Sequence, residues 1–154
     1  VRLALGRHSS ERWWERRLDA YTRVHDALAY QLRQTKAEYD SLNDFYEGQG
    51  LEQPIPDEMA NELRRNWLES ERALQDAVVR GAFLLSEDAV TLLQRYQEEQ
   101  RELDIAYSQQ GPRVIDFQLR SAQDAVDEFG KLTKKDLRIA GSTGPQADSA
   151  NQFF

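Results

Sequence analysis

Apolar residues recur along this chain at helical spacing. From Trp14, steps of four and three pass through Leu18, Tyr21, His25, Leu28, Leu32, Thr35, Tyr39, Leu42 and Tyr46. Eight of these ten positions are apolar or aromatic, the pattern of a helix packed along a bundle seam. Ala20, Val24 and Ala27 widen the stripe, as a bundle core needs. The spacing predicts a first helix from about Ser10 to Phe45, roughly 50 Å long. "EGQGLEQPIP" (47–56), with two Gly and two Pro, ends it.

Three shorter helices follow. The second is expected to start at Pro56 or Asp57 and to present Met59, Leu63, Trp67, Leu74, Ala77 and Val78 on one face. Gly81 is expected to end it in a left-handed conformation. The link "AFLLSEDA" (82–89) is apolar where most links are polar. Phe83–Leu85 read as a plug for one end of the core, and Ser86 as the cap of helix three. Helix three carries Val90, Leu93, Tyr96, Leu103 and Tyr107 and runs to about Ser108. Helix four, about Arg113 to Ile139, carries Ile115, Leu119, Ala122, Val126 and Phe129. Residues 1–9 read as a lead-in, 10–140 as the bundle and 141–154 as a flexible tail. The expected fold is all-α, an antiparallel up-down-up-down four-helix bundle with a long first helix. Its variant is a three-helix core from which helix one projects.

Composition narrows the function classes. The 154 residues include no Cys, so disulfides, thiolate metal sites and cysteine nucleophiles are excluded. No run of 18 apolar residues is present. A net charge of −7 argues against nucleic acid as a partner. Motifs for phosphate loops, dinucleotide binding, serine hydrolysis and zinc proteolysis are missing. His8 and His25 lack the upstream Glu of a di-iron bundle. Glu99 and Glu102 share a face, but inside a charged run that reads as solvated. No catalytic residue, cofactor or metal is therefore expected, and the chain reads as non-enzymatic. His25, at a seam position, is a candidate pH-sensitive core switch. Thr35 and Ser70 are polar seam positions that set register.

The charge is uneven. Residues 1–23 hold six Arg against three acids, a local +3, which leaves −10 elsewhere. Lys131, Lys134, Lys135 and Arg138 crowd the last turns of helix four. In an antiparallel bundle, Arg7, Arg12, Trp13, Arg16 and Arg17 would lie at the same end as these four. Tryptophan beside arginine suits a membrane–water interface, so that end is expected to face an anionic membrane surface.

"SSERWWERRLDAYTRVHDAL" and "FLLSED" resemble segments of small uncharacterised bacterial proteins that carry a single N-terminal membrane helix. The resemblance covers residues 10–28 and 80–93. It implies a helical cytoplasmic part held at the inner membrane by an anchor that precedes Val1. The expected function is an interaction or scaffold domain at the cytoplasmic face. Its partners would be a protein, a second copy of itself or the membrane surface. The alternative is a bundle that senses a small molecule between its helices.

Overall fold

The computed structural model describes residues 2–48 and 56–141. It is all-α, with four helices and no strand among those residues: α1 Arg2–Tyr46, α2 Asp57–Arg80, α3 Glu87–Gln110 and α4 Ile115–Gly141. Short 3₁₀ turns at Gly81–Phe83 and Pro112–Val114 precede α3 and α4. Helix α1 begins eight residues before the expected Ser10, so residues 2–9 are helix rather than lead-in. Gly141 closes α4, and the expected tail beyond it lies outside the described residues, as do 49–55 of the first link.

Side-chain pairings fix the sense of the packing. Arg95 meets Glu128, Glu99 meets Ser121 and Asp104 meets Gln118, so contacts along α3 and α4 run in opposite directions. Tyr21 reaches Ser86 and Gln31 reaches Tyr96, so α1 and α3 run in the same direction. The core gathers Tyr21, Val24 and Leu28 from α1, Leu74 from α2, Leu92, Leu93 and Tyr96 from α3, and Ala122, Ala125 and Phe129 from α4. The Tyr21 and Phe129 rings stack with centroids 5.6 Å apart.

The buried stripe of α1 differs from the expected seam. It runs through Tyr21, Val24, Leu28, Gln31 and Thr35, steps of three then four. Every seventh position is shared with the expected pattern, but Val24 and Gln31 replace His25 and Leu32. His25 is exposed and Leu32 only half-buried. Trp14 and Leu18, each 38% exposed, are not core either. Two causes act together. Val24 is apolar where His25 is not, which turns the helix by one position. The other helices also end near Arg17, whose Nε donates to the Leu84 carbonyl at 3.0 Å. Residues 2–16 of α1 therefore project about 22 Å beyond that level, and every described side chain from Ser9 to Arg16 is exposed.

Two local expectations also change. Gly81 has φ −64°, not a left-handed value, and the chain continues through it into the 3₁₀ turn. Its role is close packing: a Cβ there would lie 3.0 Å from Val90 Cγ2. The apolar link plugs the core through Leu85 and half-buried Leu84, while Phe83 points out at 75% exposure. Met59 is likewise exposed on the α2 face expected to be inward.

Ser86 caps α3 as its sequence context predicts, with Oγ accepting the Ala89 N–H at 3.2 Å. Replacing it with Ala should cost about 1 kcal/mol of stability. A thermal melt reads this, and an unchanged midpoint would contradict it.

Candidate functional site

The sequence-expected basic residues do not form one end cap. Arg12, Trp13 and Arg16 sit on the projecting part of α1, all exposed, with Trp13 at 48%. Arg17 lies at the mouth of the bundle, half-buried, its guanidinium carbon 5.8 Å from the Tyr21 ring centroid. The side chain of Arg7 lies outside the described residues. Lys131, Lys134, Lys135 and Arg138 are exposed on α4 and make no ion pair among the described residues. They stand lower than Arg12, beside the first turns of α1 inside the bundle. A shallow groove of about 270 Å³ between α1 and α4 is lined by Leu18, Tyr21, Thr22, His25, Thr133 and Lys134.

Leu18 and His25, expected in the core, thus occupy the flank of α1 turned toward α4, and Trp14, four residues before Leu18, continues that stripe onto the projection. Their spacing of four and seven is real helical periodicity. It marks a second stripe, neighbouring the buried one, that ends beside the α4 cations. Because His25 is exposed, it is a surface residue and not a core switch.

Below these cations the helices are tied by polar contacts. Asp136 Oδ2 accepts from the Tyr21 hydroxyl and from Ser86 Oγ, each at 2.5 Å. The Ser86 N–H donates to the Tyr21 hydroxyl at 3.0 Å. One carboxylate therefore joins α1, the cap of α3 and α4. Burial first, then the bond to Asp136, raises the Tyr21 pKa above the usual phenol range. In the sequence Asp136 interrupts the basic run Lys131, Lys134, Lys135 and Arg138. Its seven-residue spacing from Phe129 and Ala122 is the signal that it faces inward.

A second polar layer crosses the middle of the core. Gln31 Nε2 donates to Ser70 Oγ at 3.0 Å, and the Tyr96 hydroxyl donates to Gln31 Oε1 at 2.7 Å. Ser70 Oγ donates to the Trp67 carbonyl, and Thr35 Oγ1 to the Gln31 carbonyl. Ser70 and Thr35 are buried, as expected of polar seam positions; Gln31 was not foreseen. Among the described residues no buried side-chain polar atom lacks a partner.

Beside this layer, a groove of about 400 Å³ between α2 and α3 is lined by Trp67, Glu71, Tyr96 and Asp104 among others. Desolvation, then repulsion from Glu71, raises the Asp104 pKa, partly offset by the bond from Gln118. Desolvation, then Asp104, does the same for Glu38. Both acids bind protons more tightly in the folded chain than in the unfolded one. Their contribution to stability is therefore present at low pH and is lost as pH rises through their folded-state pKa values. Asp104→Asn keeps the acceptor for Gln118 and removes the charge. It should melt at or above the parent at pH 7, and that advantage should shrink by pH 4. Melting curves at both pH values check the sign.

Among the described residues no trio of His, Asp or Glu converges to hold a metal ion, and no helix is long and apolar enough to cross a membrane. No family model, curated protein or solved structure matches this chain.

Proposed function

We propose that the chain is a non-enzymatic helical interaction module that docks on an anionic membrane surface at the cytoplasmic face. The supporting observation is the pairing of two kinds of surface along one side. Exposed Leu18 of α1 lines a groove with Lys134 of α4, exposed Trp14 stands one turn further along α1, and the four α4 cations make no ion pair among the described residues. Indole and leucyl groups enter the interfacial layer, and lysine and arginine face the lipid phosphates. Trp13 and Arg12 extend the same chemistry along the projecting helix.

Sedimentation with vesicles tests this reading. The chain should pellet with vesicles containing phosphatidylserine and not with phosphatidylcholine alone, and high salt should release it. Each cation near the surface is worth about 1 kcal/mol, so removing the charge of Lys131, Lys134 and Lys135 as alanines should weaken partitioning roughly 100-fold. Equal binding to both vesicles, or to neither, would overturn the proposal.

A second reading, a bundle that binds a small molecule between helices, is supported by an open groove between α1 and α2 of about 470 Å³. That volume lies within the range of about 300–1,000 Å³ usual for ligand sites.

A further inference from the structure

The groove between α1 and α2 is roomy because its walls are small. Ala20 of α1 and Ala73 and Ala77 of α2 are only half-buried against the core, and Leu85 closes the bottom. From Arg16 to Val24 the groove follows α1 for about 12 Å. Ala20, Val24, Ala73, Ala77, Leu84 and Leu85 give it an apolar floor.

The rim is charged in a particular way. Asp19 is paired with Arg23 at 3.2 Å, so this pair is neutral. Arg16, Arg72 and Arg80 also line the groove and make no ion pair among the described residues. Against them stand Glu69 and Asp76, both exposed. The rim is thus net positive on a molecule whose total charge is −7. Arg80 adjoins Gly81 at the end of α2, and Arg16 is the innermost residue of the α1 projection. These two guanidinium groups stand at one end of the apolar floor.

We infer that this groove binds a single-chain anionic amphiphile. Its hydrocarbon chain lies on Ala20, Ala73, Ala77 and Leu85, and its head group meets Arg16 and Arg80. The inference rests on the small-molecule reading above and is independent of membrane docking through the α1–α4 side. An arginine fork accepts a carboxylate or a phosphate through paired N–H donors, whereas a cationic head group would be repelled.

Calorimetric titration of the folded chain with dodecanoate, well below its micelle concentration, is the test. Dodecanoate should bind one per chain, and dodecyltrimethylammonium, with the same tail, at least about tenfold more weakly. Arg16→Gln with Arg80→Gln should reduce dodecanoate affinity by about tenfold or more. Ala77→Leu should abolish binding by filling the floor while the helical circular dichroism is retained; Ala73→Leu serves if Ala77→Leu fails to fold. No dodecanoate binding, equal binding of the two amphiphiles, or full binding by the filled variants would overturn the inference. So would a doubled mass in light scattering that Ala77→Leu reduces to one chain, which would assign the groove to a second copy. Vesicle sedimentation should be unchanged in Ala77→Leu, so failure of either proposal is read separately.

Discussion

Phe129→Ala should lower the free energy of unfolding by about 3–5 kcal/mol. The ring is fully buried, at 0% exposure, and stacks on Tyr21. Removing it costs the transfer of its surface from water and leaves a cavity that the four helices close only in part. The site has little freedom to relax. Tyr21, which would have to move into the space, is held at its hydroxyl by Ser86 and Asp136. Collapse would therefore trade the cavity for a broken contact between α1, α3 and α4. Urea denaturation measures the loss, with the slope unchanged if the folded state stays compact. A loss below about 1 kcal/mol would mean that the core repacks freely, in conflict with the close packing expected of protein interiors.

The second large effect is expected at Gln31. Its side chain is buried, and it serves two helices at once: Ser70 of α2 accepts from its amide, and Tyr96 of α3 donates to its carbonyl. Gln31→Leu strands the Tyr96 hydroxyl in the core without an acceptor. A buried unsatisfied group costs about 1–3 kcal/mol, and the lost bond to Ser70 adds to it, so a total near 3 kcal/mol is expected. Desolvation, then the nearby Asp104 and Glu71, already pushes Tyr96 well above the usual phenol range. It therefore stays a neutral donor and cannot relieve the loss by ionising. Adding Tyr96→Phe to Gln31→Leu should recover part of the stability, because both partners are then apolar. A double-mutant cycle reads the coupling. Strict additivity of the two substitutions would show that the bond contributes nothing.

Much of this was legible in the sequence because it is local. Ser86 before Glu87 and Asp88 announces a helix start, and Ser86 caps α3 there. Helical periodicity marks four helices. The seven-residue spacing of Tyr21, Leu28 and Thr35 names three buried positions. What periodicity alone could not decide is which neighbour completes the stripe. Steps of four-three and three-four share every seventh residue, and α1 is apolar on both sides of it. The choice between His25 and Val24 depends on where α2, α3 and α4 lie around α1, a tertiary fact. Gln31, seven residues after Val24, lies on the three-four alternation that is buried. The expected basic end failed for a related reason. The helices differ in length, so sharing a direction does not place their ends level. α1 has 45 residues and α4 has 27, and the excess of α1 carries Arg12 and Trp13 away from the lysines. The grooves depend on side-chain size at facing positions of two helices, which no single-helix pattern contains.

The projecting part of α1 turns this helix into a lever. From Arg2 to Arg16 the arm is about 22 Å long. It is continuous with the turn whose hydroxyl meets Ser86 and Asp136. A force that tilts or twists the arm is resisted first at that junction, where Arg17 grips Leu84 and one carboxylate holds two hydroxyls. Two of these bonds, those of Arg17 and of the Tyr21 hydroxyl, come from neighbouring turns of α1. Load applied at the far end of the arm reaches the start of α3 and the end of α4 before the polar layer at Gln31.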